Sequence, residues 1–427
     1  MAGLPLPGRL INNNYVHVLR LLCPEAQGLN EGVPMTVTAD VEARIASLNE
    51  RHPTERVNAA VLDEKLRRRG QVVHATRNLQ DVAAQLEKFL ASVLEGPFTV
   101  SGLGRLAGGA SKEQFAFDLS WSDGGTARNE RLVLRLNPPA SVVETSRQRE
   151  FEVLNALQGV VPVPKAFWAV TDYEPFGEHG MIVGFLPGVA APTKGGGGPS
   201  GLGTAYGEYA QPLGEQFVDH LAALHAVDPD TLDLPSFDRP RVGTTDAADW
   251  RVALWDRIWG EDTYEAHPTI TLTREWLWAN RPTLDKASLV HADYRNGNFL
   301  FHEDESLEIT AILDWELAYI GDRHHDLAYA MLVGWGHDDA SGKYLCSGLI
   351  DQDAFIARYE EKSGLKVDPV KLKYYTVLNM YWAFVACSAT STRVAQEQMT
   401  HLDVMMPFVT GLGMFFSNEL NKILAEA

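Results

Sequence analysis

The residues best suited to chemistry lie in two polar segments in the second half of the chain. The first, Ser288-Leu-Val-His291-Ala-Asp293-Tyr-Arg295-Asn-Gly-Asn298-Phe-Leu-Phe301, runs from apolar residues through a polar loop and back into apolar residues. The second, Ala311-Ile-Leu-Asp314-Trp-Glu316, is an apolar run that ends in carboxylates. Read as adjacent hairpin strands, the two runs bring Asp293, Asn298 and Asp314 to one end of a small sheet. Phosphoryl transfer uses such a set. One carboxylate, here Asp293, accepts or orients the proton of an attacking hydroxyl. Hard oxygen ligands hold Mg2+ on the phosphates, and Asp314 with the Asn298 amide oxygen suits octahedral magnesium. Either aspartate alone reads better as a strand-end cap; the three together point to the chemistry. Arg295 sits inside the loop, facing substrate or a phosphate. His324 and His325 are consecutive but have no second cluster at ligand spacing, so they are not read as a metal site.

The elements that must position these residues follow from hydrophobic pattern. Residues 1–95 read as helical: Thr38-Ala-Asp40 precedes a run with apolar residues at helical spacing, and a second helix runs through Ala60 to Leu66. A third, Leu79 to Leu94, would place Leu79, Val82, Leu86, Leu90 and Val93 on one face. The pattern changes at Pro97. FTVSGLGRLAGGASKEQFAFDLSW reads as strand, glycine-containing turn and strand, and ERLVLRLNPP as a third strand ended by prolines. Residues 144–158 then read as a helix, and PVPKAFWAV and GMIVGFLPG as two more strands. The order β-β-β-α-β-β suggests a small antiparallel sheet with one helix against it. Residues 189–212, with four consecutive glycines from Gly195 to Gly198, read as a surface loop or linker. From Gly214 the chain reads as mostly helical, over QFVDHLAALHAVDP, 250–280 and 366–425, with short strands around Leu289-Val290, Asn298 to His302 and Ile309 to Asp314.

Composition bounds the answer. A chain of 427 residues suggests two or three packed units, and 45% apolar content allows a sizeable core. A net charge of −19 argues against nucleic-acid binding through a general basic surface. Three cysteines, Cys23, Cys346 and Cys387, are odd in number and widely spaced, which argues against a disulfide framework and fits a reducing cytoplasm. The N-terminus lacks a signal pattern and no apolar run is long enough to span a membrane, so a cytoplasmic location is expected.

His291-x-Asp293-x-x-x-x-Asn298, then Leu313-Asp314-Trp315-Glu316, then Gly321-Asp322-Arg323-His324-His325-Asp326-Leu327-Ala328, resembles the aminoglycoside phosphotransferase and choline kinase-like family. The resemblance runs from about Phe98 to the C-terminus. It implies an α+β, two-lobed protein-kinase-like fold: a helical extension over 1–95, a nucleotide-binding small lobe over 96–186 with an antiparallel sheet, and a mostly helical catalytic and substrate-binding lobe over 187–427. It implies ATP and Mg2+ as cofactors. Leu106-Ala-Gly108-Gly109-Ala-Ser111 resembles the turn that covers the nucleotide phosphates, where Ser111 can donate to a phosphate oxygen. Arg135 stands where kinases carry the strand lysine, and Glu150 where a helix glutamate orients it. Arginine presents a planar fork where lysine presents a point charge, and a branch resembling the acyl-CoA-associated phosphotransferases often has arginine here. Met181 to Gly188 resembles the hinge, where adenine would bond main-chain groups near Gly184, Phe185 and Leu186. In this family's loops the histidine packs under the metal segment, which makes His291 a scaffold residue. Asp322 and Asp326 would bond the catalytic loop and cap the helix starting near Leu327.

The leading expectation is therefore an ATP-dependent kinase of a small-molecule alcohol. Trp250, Trp255, Trp259, Trp276, Trp278, Tyr374, Tyr375, Tyr381, Trp382 and Phe384 crowd the C-terminal half. Such residues are mostly core, but if some line the pocket they favour an apolar or aromatic alcohol, or a hydroxyacyl thioester, over an aminoglycoside-type polycation. The alternatives are an aminoglycoside-type antibiotic phosphotransferase and a non-catalytic, kinase-shaped nucleotide-binding protein. The N-terminal helices are a candidate homodimer module.

Overall fold

The computed structural model describes residues 39–70, 77–106, 112–194, 202–397 and 406–425. Thr38, Cys23, the Gly195–Gly198 run and the turn from Ala107 to Ser111, with the expected phosphate contact of Ser111, lie outside them. Residues Asp40–Ala427 form one compact unit.

Three helices come first: α1 (Ala39–Arg51), α2 (Arg56–Arg68) and α3 (Leu79–Val93). Then come β1 (Phe98–Arg105), β2 (Glu113–Asp123), β3 (Thr126–Leu136), α4 (Arg147–Ala156), β4 (Ala166–Val170) and β5 (Gly180–Gly184). The five strands make an antiparallel sheet in the order β1-β2-β3-β5-β4. Gly124 and Gly125, both at positive φ, close the β2–β3 hairpin with the two-residue turn that matches strand twist. Alternation sorts the side chains. Phe115, Phe117, Leu132, Leu134, Leu136 and Ile182 share one buried cluster with Val82, Leu86, Phe89 and Leu90 of α3. Val133, Met181 and Val183 share another with Val153, Leu154 and Leu157, which belong to α4 and its end. The small sheet is thus covered by a helix on each face, and one of the two is α3.

Val189 joins the sheet's exit to the second lobe by a mutual backbone pair with Phe301, at 3.0 and 3.1 Å. Gly188 makes this approach possible, because a Cβ there would sit 3.0 Å from the Phe301 carbonyl oxygen. Beyond it lie α5 (Ala210–Ala226), α6 (Asp246–Asp262), α7 (Pro268–Ala279), β6 (Ser288–Val290), β7 (Phe299–Phe301), β8 (Ile309–Ile312), β9 (Tyr319–Gly321) and α8 (His324–Ala330). A small three-stranded sheet, β10 (His337–Asp338), β11 (Tyr344–Cys346) and β12 (Ile350–Asp351), precedes α9 (Gln352–Ser363) and α10 (Pro369–Val385). A π-helical turn over Ala386–Thr390 leads into α11 (Ser391–Glu397), and α12 (Met406–Ala425) ends the described chain. The pairs β6–β9 and β7–β8 are two short antiparallel ribbons.

Several expectations need correction. Helix α5 begins at Ala210 and passes through Gly214, because a side chain there would press on Leu349 and Ile350; the glycine serves close packing. Helix α8 begins at His324, so Asp326 lies inside it and caps nothing. On α3, Leu79 and Val93 are 43% and 40% exposed, and Phe89 takes their place in the buried face. Nine of the ten aromatic residues singled out in the C-terminal half are core: Trp255, Tyr374, Tyr375, Tyr381, Trp382 and Phe384 are buried in one cluster, with Trp259, Trp276 and Trp278 packed against it, while Trp250 is half-buried outside it. Their polar atoms turn inward too, as where Trp278 Nε1 and Tyr381 Oη both donate to Asp256, at 3.0 and 2.5 Å. They give no support to an apolar acceptor pocket. Among the described residues, no helix is long and apolar enough to cross a membrane.

The first helices spend their apolar faces inside the chain. Ile45 and Leu48 of α1 meet Leu66 of α2, and Leu62 of α2 joins the cluster of Val252, Trp255 and Ile258 on α6. Replacing Leu86, which is fully buried between α3 and the sheet, by alanine is expected to cost about 2–5 kcal/mol. Chemical denaturation would read this as a lowered midpoint, and an unchanged midpoint would mean that α3 is not part of the small-lobe core.

Candidate active site

The pairing of β7 with β8 sets the site's geometry. Phe299 stands opposite Ile312, and one step further the Leu313 amide donates to the Asn298 carbonyl at 2.8 Å. Asn298 and Asp314 are therefore neighbours at the open end of this ribbon. Asp314 adopts a left-handed backbone, φ 62°, as the chain leaves β8 and turns into a short 3-10 helix. Ala292 does the same, φ 68°, as the chain leaves β6. Non-glycine residues in this region are sparse and gather where surrounding structure holds them. What holds Ala292 is Asp326, whose carboxylate accepts from the His291 and Ala292 amides at 2.8 and 2.7 Å. Asp326 is anchored by His225 Nε2 at 3.0 Å, and His225 Nδ1 meets the Tyr359 hydroxyl at 2.9 Å. Burial works to raise the Asp326 pKa, but the His225 hydrogen bond and charge outweigh it and the carboxyl stays below its ordinary value.

His291 has both ring nitrogens engaged. Nδ1 accepts from the Asp293 amide at 3.1 Å and Nε2 meets the Leu313 carbonyl at 2.8 Å. A carbonyl only accepts, so Nε2 carries the proton. The ring lies 4.4 Å from Trp315. His291 thus ties the loop to the segment bearing Asp314.

Asp293 is held from two sides. Arg295 Nε donates to Oδ1 at 3.0 Å and Asn298 Nδ2 to Oδ2 at 2.6 Å. The Arg295 guanidinium lies over Trp335, 4.3 Å from the ring centroid. Asn298 Nδ2 also donates to the Asp293 carbonyl at 2.9 Å. With its nitrogen so engaged, the Asn298 amide has its oxygen left to act as a ligand, beside the Asp314 carboxylate. Two oxygen ligands of this kind fit a magnesium ion that arrives with phosphate oxygens and water. Among the described residues no group of three or more His, Cys, Asp or Glu gathers to hold a metal by itself.

Arg135 and Glu150 approach from the small lobe. Arg135 Nη1 donates to Glu150 at 2.5 Å and Nη2 to Asp314 at 2.8 Å. Burial lowers the Arg135 pKa, but Glu150 and Asp314 outweigh it and raise it above the ordinary value. Glu150 is also bonded by Arg147, which reaches Glu316 at 2.7 Å. Glu316 receives Lys112 as well, at 3.2 Å, and Lys112 has no exposed side-chain surface. At the hinge, the Gly184 and Phe185 amides are committed to the Lys165 and Arg131 carbonyls, at 2.8 and 2.9 Å. Of the three expected adenine contacts, those two residues can offer carbonyls, and Leu186 is the one amide without such a commitment among them.

Lys112 and Arg147 were not legible as site residues. Lys112 follows the glycine turn but carries no pattern of its own, and Arg147 is one of three basic or amide residues opening α4. Their partner, Glu316, was visible only as the last letter of Asp-Trp-Glu. Burial would raise the Glu316 pKa, yet Lys112, Arg147 and Arg135 together hold it at about 2. A depressed carboxyl contributes stability above its unfolded value of 4.5 and loses it as pH falls toward 2. Glu316→Gln should therefore destabilise the protein at pH 7 and flatten the loss of stability between about pH 4.5 and 2. Unfolding curves recorded at several pH values would check this, and parallel pH profiles for the two proteins would contradict it.

Residues 103–366 match the phosphotransferase enzyme family. Among curated proteins, the chain is 27% identical over 304 residues to Arabidopsis thaliana IBR3, an acyl-CoA dehydrogenase by name, covering 67% of this chain and 35% of that one. It is 28% identical over 210 residues to acyl-CoA dehydrogenase family member 10 of Mus musculus and 30% identical over 209 to member 11 of Homo sapiens. Those matches cover 48% of this chain in both cases, and 18% and 25% of the relatives. The chain thus spans between about a fifth and a third of the length of these relatives. Among solved structures, a candidate aminoglycoside phosphotransferase of Ralstonia eutropha superposes with a TM-score of 0.54 at 20% identity, over 79% of this chain and 98% of that one. A thermostable variant of aminoglycoside phosphotransferase APH(4)-Ia, solved with AMP-PNP and hygromycin B, gives 0.50 at 17%, over 80% and 98%. At such identities the likeness is one of fold. The small antiparallel lobe, the helical lobe and the family match over most of both make the chain a member of the phosphotransferase enzyme family, with a two-lobed, kinase-like fold.

Proposed function

We propose that the chain transfers the γ-phosphate of ATP to a hydroxyl of a small molecule, with Mg2+, at the site formed by Asp293, Asn298, Asp314, Arg135 and Glu150. The observation that carries this reading is the convergence of a doubly held carboxylate, Asp293, with an asparagine–aspartate pair and an arginine reaching in from the other lobe. Asp293 accepts the hydroxyl proton as the oxygen attacks the γ-phosphorus. The bond from that phosphorus to the bridging oxygen breaks, and ADP leaves. Arg295 fixes the Asp293 carboxylate. Asn298 and Asp314 would hold magnesium, which would offset the charge of the phosphate oxygens. Arg135 keeps Glu150 and exchanges Asp314 for a phosphate oxygen as the nucleotide enters. The Leu186 amide and the Gly184 and Phe185 carbonyls are the proposed partners of adenine, and Ser111 the proposed donor from the glycine turn.

The acceptor is open to two classes. A polar, hydroxyl-rich acceptor of the aminoglycoside type is the better supported, because the aromatic residues that favoured an apolar alcohol are core. A hydroxyacyl thioester keeps one support, the occurrence of the matched stretch within proteins named for acyl-CoA dehydrogenases. A panel containing both classes, followed by ADP release from purified protein, separates them.

Mg-ATP should raise the melting temperature, since a ligand that binds only the folded state stabilises it; no shift would count against the reading. Asp293→Asn should lower kcat by about 10^2–10^4-fold while ATP binding, followed by titration calorimetry, changes little. Retained turnover in that variant would remove Asp293 as the base.

A further inference from the structure

Helix α4 carries two consecutive charged residues with different partners. Glu150 turns to Arg135 and the nucleotide side. Arg149 turns to Glu55, the residue just before α2, at 2.7 Å. Residues one apart on a helix do not share a face, so one turn of α4 is fixed to Arg135 on one side and to the N-terminal helices on the other. Glu55 is 1% exposed and has both carboxylate oxygens occupied. Oε1 takes Arg149; Oε2 takes Arg251 of α6 and, at 2.9 Å, Asn58. Arg149 also donates to Asn58 Oδ1 at 3.2 Å and lies over Phe237, 4.1 Å from its centroid. Arg251 lies over the Tyr319 ring, 4.0 Å from its centroid. Tyr319 belongs to β9 and pairs with Val290, the last residue before the catalytic loop. Glu55 therefore stands between the helix that aims Glu150 and the strand that delivers Asp293. It lies outside residues 103–366, the stretch matched by the family.

We propose that Glu55 is a positioning residue. It sets α4, and through Glu150 the Arg135 guanidinium, at the place where the nucleotide phosphates bind, and it couples that setting to the catalytic-loop strand. Removing its charge leaves two buried guanidinium groups facing each other with one acceptor fewer, and α4 is the element that can yield. The inference rests on the nucleotide-binding reading above.

The test is Glu55→Gln in the full chain, followed by two measurements. Titration calorimetry with Mg-AMP-PNP should show affinity reduced about fivefold or more. Hydrogen exchange in the ligand-free protein should be faster over 147–156 and unchanged over 369–385. A purely structural role would lower the melting temperature without moving the α4-selective exchange or the nucleotide affinity well below that temperature. If Glu55→Gln does not fold, Arg149→Lys, which keeps the charge but gives up the planar fork, takes both measurements with the same sign expected. Wild-type affinity and unchanged α4 exchange in the folded variant overturn the inference alone. Failure of the wild-type chain to bind Mg-AMP-PNP overturns the nucleotide reading and this inference with it, whatever the exchange shows.

Discussion

A line of alternating charges joins the two lobes. Asp314 meets Arg135, Arg135 meets Glu150, Glu150 meets Arg147, Arg147 meets Glu316, and Glu316 meets Lys112. Most of these groups are withdrawn from water, and an isolated buried charge costs several kcal/mol even after the protein relaxes. The alternation compensates that cost only as long as every member stays in place. It joins β3, α4, the residue before β2 and the segment after β8, so the small lobe, its helix and the ribbon of β7 and β8 are located by one set of contacts. Burial lowers the Lys112 pKa despite Glu316. The arrangement is a specification of geometry more than a source of stability.

The ribbon of the candidate site was legible because its residue pattern is local. Asp293, Asn298 and Asp314 sit on two short segments whose apolar flanks announce strands, and a two-strand pairing needs no long-range information. Arg135 and Glu150 were legible through resemblance, since each lies in a strand or helix whose pattern can be aligned. Lys112 and Arg147 were not, because their shared partner Glu316 lies 204 and 169 residues away along the chain. The aromatic residues show the opposite failure. Helical spacing told that they would be buried but could not tell a core from a pocket, and the structure assigns them to the core. Helix α9 went unread although the sequence carries its end signals: Asp351 caps its start by accepting from the Ala354 amide, and Gly364, φ 70°, ends it. The two- and three-residue strands before it carry too little periodicity to be read.

Helices α1 to α3 change the usual division into two lobes. One face of α3 is a layer of the small lobe, while α2 is ion-paired to both sides. Lys65 reaches Glu261 and Asp262 on α6 at 2.6 and 3.1 Å, and Arg68 reaches Glu178, beside β5, at 2.7 Å. Besides the Val189–Phe301 backbone pair, α2 thus ties Glu178 of the small lobe to α6 of the other.

The left-handed backbones at Ala292 and Asp314 have a thermodynamic meaning beyond their geometry. A glycine at either place would adopt the conformation freely but would also leave it freely. Alanine and aspartate keep it only because the chain around them insists, at a strain of order 1–3 kcal/mol each. Asp326 supplies that insistence for Ala292 through two backbone hydrogen bonds. The disorder of the loop is therefore removed when the protein folds. Any ligand of this loop would meet carboxylates already placed, and its binding energy would not be spent on ordering them.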